Sequence, residues 1–365
     1  MGALEPLRMD MGAVLGSFSG KRVLVTGHTG FKGSWLSFLL REAGADVMGY
    51  GLAPRPGPSH FEMLGLASSI RHVVADIRDP GAVEGALQEF QPEYVFHLAA
   101  QALVGPSYEN PLETIQVNVL GSAHLLDAIR RCESVRSLVY ITSDKCYENV
   151  EWVWGYRETD RLGGHDPYSA SKAAAEIVFS AYARSFYAAR TSLGAASTRA
   201  GNVIGGGDWA PDRIVPDCIR AIESGQAIRL RNPRATRPWQ HVLEPLSGYL
   251  MLAALLRERP REYGGAWNFG PSAQQARTVH DVATAIIRHV GRGSVEFAGA
   301  GTGQHEATLL QLNCDKAHQL LGWHPRWSVD QTLEATARWY AQVLGGARAE
   351  DLTRSQIHDY FPELR

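Results

Sequence analysis

Residues 137–172 read SLVYITSDKCYENVEWVWGYRETDRLGGHDPYSASK, and this stretch decides the fold. It opens with an apolar, β-branched run, Leu138, Val139, Tyr140, Ile141 and Thr142, the pattern of a buried strand. The run stops at Ser143, Asp144 and Lys145. In an open α/β sheet, ligands meet the carboxyl ends of strands, so a hydroxyl, a carboxylate and an amine there are placed to act on one. After a loop, Tyr168-Ser169-Ala170-Ser171-Lys172 begins a helical pattern. Tyr168 and Lys172 are four apart and share one helix face. An ammonium beside a phenol favours the phenolate, which makes Tyr168 a candidate general base near neutral pH. Taken alone, the pair reads equally as a surface helix contact.

The chain before this stretch alternates strand and helix patterns. Residues 21–26 (KRVLVT) run into Gly27-His28-Thr29-Gly30-Phe31-Lys32-Gly33 and then an apolar helix. Strand, glycine turn and helix together meet the needs of a pyrophosphate site: a tight turn, close backbone approach and a helix N-terminus facing the anion. His28 and Lys32 are polar additions, read either as phosphate contacts or as solvated side chains. A second strand, 46–50, is followed by Gly51-Leu52-Ala53-Pro54-Arg55. It lacks the acid that holds a ribose 2′-hydroxyl, and Arg55 suits a 2′-phosphate, so NAD and NADP both stay open. A third strand, 71–75, ends in Asp76-Ile77, an adenine contact or a plain loop carboxylate. The fourth, 94–97, ends in Leu98-Ala99-Ala100-Gln101, where small residues let a cofactor approach. The helix 112–131 carries Asn118, either a bridge to backbone groups near the site or an ordinary polar residue. This alternation predicts an α/β fold, a doubly wound parallel sheet.

From residue 199 the character changes. Arg199-Ala200-Gly201-Asn202 opens a Gly-rich segment, followed by Arg213 and the cluster Arg229, Arg231, Arg234, Arg237, Trp239 and His241. Arg forks match phosphate oxygens; the rival reading is a solvated charged face. The expected organisation is a cofactor domain over 20–198 with a returning segment at about 240–260, interleaved with a smaller α/β substrate-binding lobe over 199–345. Residues 1–19 and 346–365 read as loose extensions. Thirty-six basic against 38 acidic residues, net charge −2, give no electrostatic case for nucleic acid or a membrane surface. The longest apolar run, 246–256, is about half of a membrane span, and 1–19 lack the apolar core of a signal peptide. Cys132, Cys146, Cys218 and Cys314 have neither metal-ligand nor redox spacing, so no metal site is expected and the compartment reads as reducing, the cytoplasm.

Together, Gly27-x-x-Gly30-x-x-Gly33, Ser143 and the Tyr168/Lys172 pair resemble the extended short-chain dehydrogenase/reductase family of nucleotide-sugar enzymes, over residues 20 to 345. More narrowly, residues 26–35 (TGHTGFKGSW), 142–147 (TSDKCY) and 151–158 (EWVWGYRE) are similar to the CDP-glucose 4,6-dehydratases within it. The resemblance implies a Rossmann cofactor domain, a recycled NAD and a redox-neutral lyase acting on a nucleotide-sugar. It also implies roles. Tyr168, held as phenolate by Lys172, takes the C4 hydroxyl proton while hydride passes to NAD, and Ser143 hydrogen-bonds the same oxygen. Asp144 protonates the departing C6 hydroxyl. Lys145 stands where related dTDP-glucose dehydratases have a Glu base. A Lys base must be neutral, through burial or a cation such as Lys172; otherwise Lys145 stabilises the enolate. The expected cofactor contacts are Gly27, His28, Thr29, Gly30, Phe31, Lys32, Gly33, Asp76, Ile77, Ala99, Ala100, Gln101 and Asn118, with Tyr168 and Lys172. Asn202, Arg213, Arg231 and Arg237 are the expected nucleotide-sugar contacts. Two rivals stand: a 4-epimerase of this fold, which needs no acid at 144, and a non-catalytic dinucleotide-sensing protein, which tends to lose the Tyr or the Lys. The helices 112–131 and 168–186, the second with Phe179, Tyr182 and Phe186, offer apolar faces for a homodimer or pack only on the sheet.

Overall fold

The computed structural model describes residues 10–271, 275–297 and 309–365. Seven strands form one sheet: β1 Arg22–Thr26, β2 Asp46–Gly51, β3 Arg71–Val74, β4 Tyr94–His97, β5 Ser137–Ile141, β6 Gly194–Arg199 and β7 Gly265–Asn268. Their order is β7-β6-β5-β4-β1-β2-β3, with every pairing parallel. The chain starts in the middle, winds out to β3, then restarts at β4 on the other side. The order therefore reverses between β1 and β4, and the crevice above their carboxyl ends is where such sheets bind ligands.

Successive β1 side chains face opposite cores. Val23 and Val25 join a core with the helices Phe31–Glu42 and Leu243–Glu258, while Leu24 joins one with Pro80–Phe90, Ser122–Arg131 and Pro167–Ser185. A parallel sheet covered on both faces explains the unbroken apolar runs of its strands. In the helix after the glycine turn, Leu36, Leu39 and Leu40 are fully buried; each contributes about 1.5–3 kcal/mol by leaving water. A third core lies beneath Ile214–Glu223, Val279–Val290 and Val329–Leu344, beside the short ladder Ile228–Leu230 with Val295–Phe297.

Three expectations are corrected here. Residues 10–19 are not a loose extension: Asp10 caps the helix Met11–Gly16, and Met11, Val14, Leu15 and Phe18 enter the main core; residues 1–9 lie outside the described ones. The end of the chain is not loose either. Its helix Ala349–Tyr360 buries Thr353, Ile357 and Tyr360, and the Tyr360 hydroxyl donates to Glu244 Oε2 at 2.6 Å. Phe179 does not offer a free face, because it is buried and stacks on Tyr140 at 5.1 Å.

Candidate active site

The crevice is assembled by local backbone demands. Gly27 has φ +72°, and a Cβ on it would lie 2.7 Å from the Ala99 nitrogen. A Cβ on Gly33 would lie 2.1 Å from the Gly27 carbonyl oxygen. Only glycines allow β1, the turn and the end of β4 to close up this tightly. Thr26 Oγ1 ties the two strand ends, accepting from Leu98 N and Ala99 N at 3.2 Å each. A cavity of about 1440 Å³ opens there. One arm is walled by Gly27, Thr29, Gly30, Phe31, Lys32, Gly33, Asp76, Ile77, Ala99 and Ala100; the middle by Ser143, Asp144, Lys145, Tyr168 and Lys172; the other arm by Asn202, Arg213, Arg231 and Arg237.

Three expected cofactor contacts do not line it. His28 is wholly buried, edge-on to Phe61 at 5.1 Å, with Nε2 2.7 Å from His72 Nδ1. Burial, then His72, lowers it to about 4, so it is neutral and neither solvated nor on a phosphate. It needs Gly49, where a Cβ would lie 2.2 Å from the imidazole. Gln101 and Asn118 sit behind the wall. Asn118 exchanges bonds with the Gln101 backbone at 2.8 and 3.0 Å and donates to Ser171 Oγ at 2.8 Å, so it is the bridge rather than an idle polar residue. It lies in a π-helical turn, Gln116–Gly121, that interrupts the helix read as continuous; such turns cluster at functional sites. Asp76 lines the cavity, but its carboxylate takes the Arg78 guanidinium at 2.6 and 2.9 Å. Of the basic cluster, His241 is fully buried against Trp35 and Trp327.

Past the end of β5, Ser143 Oγ accepts from Lys145 N at 3.3 Å and donates to Asp144 Oδ1 at 2.9 Å. Asp166 caps the helix Pro167–Ser185, accepting from Ser169 N at 3.0 Å and Ser169 Oγ at 2.6 Å. Tyr168 and Lys172 project from its first turns, with Lys172 Nζ 5.9 Å from the Tyr168 ring centre. Burial pushes the Tyr168 phenol up to about 12, with a hydrogen bond to Ser143 opposing, so the expected lowering is reversed. Burial likewise lowers Lys172 to about 8, with Cys146 and Glu176 opposing. Lys145 is exposed on the cavity wall. Lys32 is the other amine in the cavity: burial and Arg213 lower it to about 8, with Asp144 opposing.

Three residues that sequence reasoning passed over shape this site. Asp208, buried in the Gly-rich segment, accepts from Arg213 Nη1 at 2.9 Å and aims it. Glu176, buried one turn beyond Lys172, accepts from Arg199 Nη2 at 2.9 Å. A Cβ on Gly201 would lie 1.8 Å from Asp144 Oδ2. The Gly-rich pattern flagged its segment, but not the carboxylate it faces. Gly201→Ala is therefore expected to displace Asp144 and cut turnover at least tenfold while thermal unfolding stays cooperative; unchanged turnover would show that Asp144 is not held there.

A doubly wound sheet with a glycine turn at its switch point, and Ser143, Tyr168 and Lys172 facing that turn across one cavity, defines the NAD-dependent epimerases and dehydratases of the extended short-chain dehydrogenase/reductase class. The chain belongs to the family described as GDP-mannose 4,6 dehydratase, which matches residues 24–336. It is 46% identical over 348 residues to CDP-glucose 4,6-dehydratase of Salmonella typhimurium, covering 94% of this chain and 97% of that protein. Among solved structures it is similar to the epimerase Mth375 of Methanothermobacter thermautotrophicus, with TM-score 0.80, 25% identity and coverage of 94% and 97%. It is also similar to DesIV, a dTDP-glucose 4,6-dehydratase of Streptomyces venezuelae with NAD bound, with TM-score 0.74, 25% identity and coverage of 91% and 99%. Among the described residues, no group of His, Cys, Asp or Glu could hold a metal ion, and no helix is long and apolar enough to cross a membrane.

Proposed function

We propose that the chain is a CDP-glucose 4,6-dehydratase, a hydro-lyase that forms CDP-4-keto-6-deoxyglucose and water with recycled NAD. The observation that carries this reading is Asp144, buried beside Ser143 and facing the same cavity as Tyr168 and Lys172. An epimerase needs the Tyr and the Lys but not this acid, and the 46% identity to a CDP-glucose 4,6-dehydratase points the same way.

The glycine turn and helix N-terminus fit a pyrophosphate, since Gly27 and Gly33 let the turn close against its own backbone and the end of β4 while Gly27, Gly30 and Gly33 line the cavity. Gly27, Thr29, Gly30, Asp76, Ile77, Ala99 and Ala100 would hold the dinucleotide, with Gln101 and Asn118 supporting from behind. A bound NAD would supply the hydride acceptor and donor and a positive charge that favours the Tyr168 phenolate. Tyr168 takes the C4 hydroxyl proton, and Ser143 orients that oxygen. The 4-keto group acidifies C5–H, and Lys145, next to Asp144 on the cavity wall, is assigned that proton. Asp144 gives a proton to the departing C6 hydroxyl, which leaves as water. Arg213, Arg231 and Arg237 bind the diphosphate by charge-assisted hydrogen bonds, and Asn202 lines the nucleotide end. Residues 20–198 with 240–260 serve the cofactor, and 199–345 serve the nucleotide-sugar. Four free, buried thiols suit a cytoplasmic enzyme.

The test is incubation with CDP-, UDP-, GDP- or dTDP-glucose and NAD, followed by strong base and ultraviolet absorbance of the 4-keto-6-deoxy sugar. Signal with CDP-glucose is expected. No signal from any of the four, or an epimerised hexose, would overturn the reading.

Homodimerisation belongs to the same proposal. Leu112 (74% exposed), Ile115 and Leu120 are exposed on helical segments that pack against the helix carrying exposed Ile177 (59%), apolar residues of the kind that pair across a two-fold axis. Leu112→Glu with Ile177→Glu is expected to convert a dimer to a monomer by analytical ultracentrifugation; an unchanged sedimenting mass would reject this face.

A further inference from the structure

Glu176 is 3% exposed, and its carboxylate is fully occupied. Oε1 accepts from Thr142 Oγ1 at 2.5 Å; Oε2 accepts from Ser197 Oγ at 2.8 Å and Arg199 Nη2 at 2.9 Å. Arg199 is equally buried, and its Nη1 donates to the Tyr147 hydroxyl at 2.7 Å and the Glu158 carbonyl at 3.1 Å. One side chain thus ties the ends of β5 and β6 to the helix that carries Tyr168 and Lys172. Thr142 directly precedes Ser143 and Asp144. A tie with only a structural task would be made at lower cost by apolar side chains, because burying two charges carries a desolvation penalty of several kcal/mol per ion. The charge therefore calls for an electrostatic task, and Lys172 is four residues back on the same helix face.

The groups around Lys172 narrow that task. Tyr168 faces it from the same helix, His97 from β4, Lys32 from the helix after the glycine turn, and Cys146 from the turn after β5. Burial lowers His97 to about 3, so it carries no charge at neutral pH. Lys32 is a repelling amine. Burial holds the Cys146 thiol well above its usual range, so at neutral pH it is not the anion that its opposition to the burial of Lys172 would require. Glu176 is the anion left to oppose the burial of Lys172.

We propose that Glu176 is a positioning residue for the reaction, holding Lys172 as a cation and fixing the end of β5 that presents Ser143 and Asp144. The inference rests on the dehydratase reading only for what the Tyr168–Lys172 pair is used for. Its test needs no substrate: competitive labelling of Lys172 with acetic anhydride against pH, read by peptide mass spectrometry. Glu176→Gln is expected to lower the titration midpoint of Lys172 by about one pH unit or more, whereas Glu176→Asp leaves it in place. The alkaline limb of kcat shifts in the same direction. If the Gln variant does not fold because Arg199 is left unpaired, Glu176→Gln with Arg199→Met carries the same expectation, since Arg199 is not among the groups that shift Lys172. A midpoint unmoved in the folded variant overturns the inference. Shifted labelling in an enzyme that gives no dehydratase signal would instead overturn the functional reading alone.

Discussion

Replacing Asp144 by Asn is expected to lower formation of the 4-keto-6-deoxy sugar by roughly 10²–10⁴, the usual worth of a positioned general acid. The amide keeps the shape and still accepts from Ser143, whose hydroxyl lies 2.9 Å from Oδ1. It has no proton to give to a departing hydroxyl. Gly201 leaves no slack around this carboxylate, so water is poorly placed to substitute as the acid. KM for CDP-glucose should change little, because the diphosphate is assigned to arginines on the other arm of the cavity. Rates measured by base-developed absorbance check this. A loss of only a few fold would mean that Asp144 serves Ser143 rather than the leaving group.

Tyr168→Phe is expected to be as damaging, again by roughly 10²–10⁴, because it removes the proton acceptor at C4. Its pH behaviour carries more information than its size. In the unmutated enzyme Lys172, lowered to about 8 by burial, is a cation below that pH and loses its charge above it. An ammonium favours the phenolate, so turnover should fall as pH rises through about 8. In Tyr168→Phe there is no phenol to tune, and the residual rate should lose that limb. A profile of the same shape in both enzymes would remove Lys172 from the account of Tyr168.

What the sequence discloses follows from where each constraint acts. The glycine turn is legible because its demands are local: a strand, positive φ at Gly27 and a close contact at Gly33 all fall within one short segment. Ser143, Asp144, Tyr168 and Lys172 are legible for the same reason. The supporting residues are not, because their partners are remote in the chain: Gly201 faces Asp144, and Glu176 meets Arg199. Burial is equally invisible from spacing. It turned the expected depression of Tyr168 into a rise, and it made His28 a neutral packing residue. The packed ends were readable in principle: Met11, Val14, Leu15 and Phe18, like Thr353, Ile357 and Tyr360, recur at helical spacing. Charged residues flanking both segments mask that spacing.

The central claim is an internal transfer from C4 to C6 joined to loss of water. CDP-glucose deuterated at C4 tests it directly, with NAD supplied and the product read by proton and deuterium NMR in ordinary water. The account predicts a 4-keto sugar whose C6 methyl carries the deuterium. Deuterium retained at C4 of a hexose with its C6 hydroxyl intact would contradict it and make the protein an epimerase.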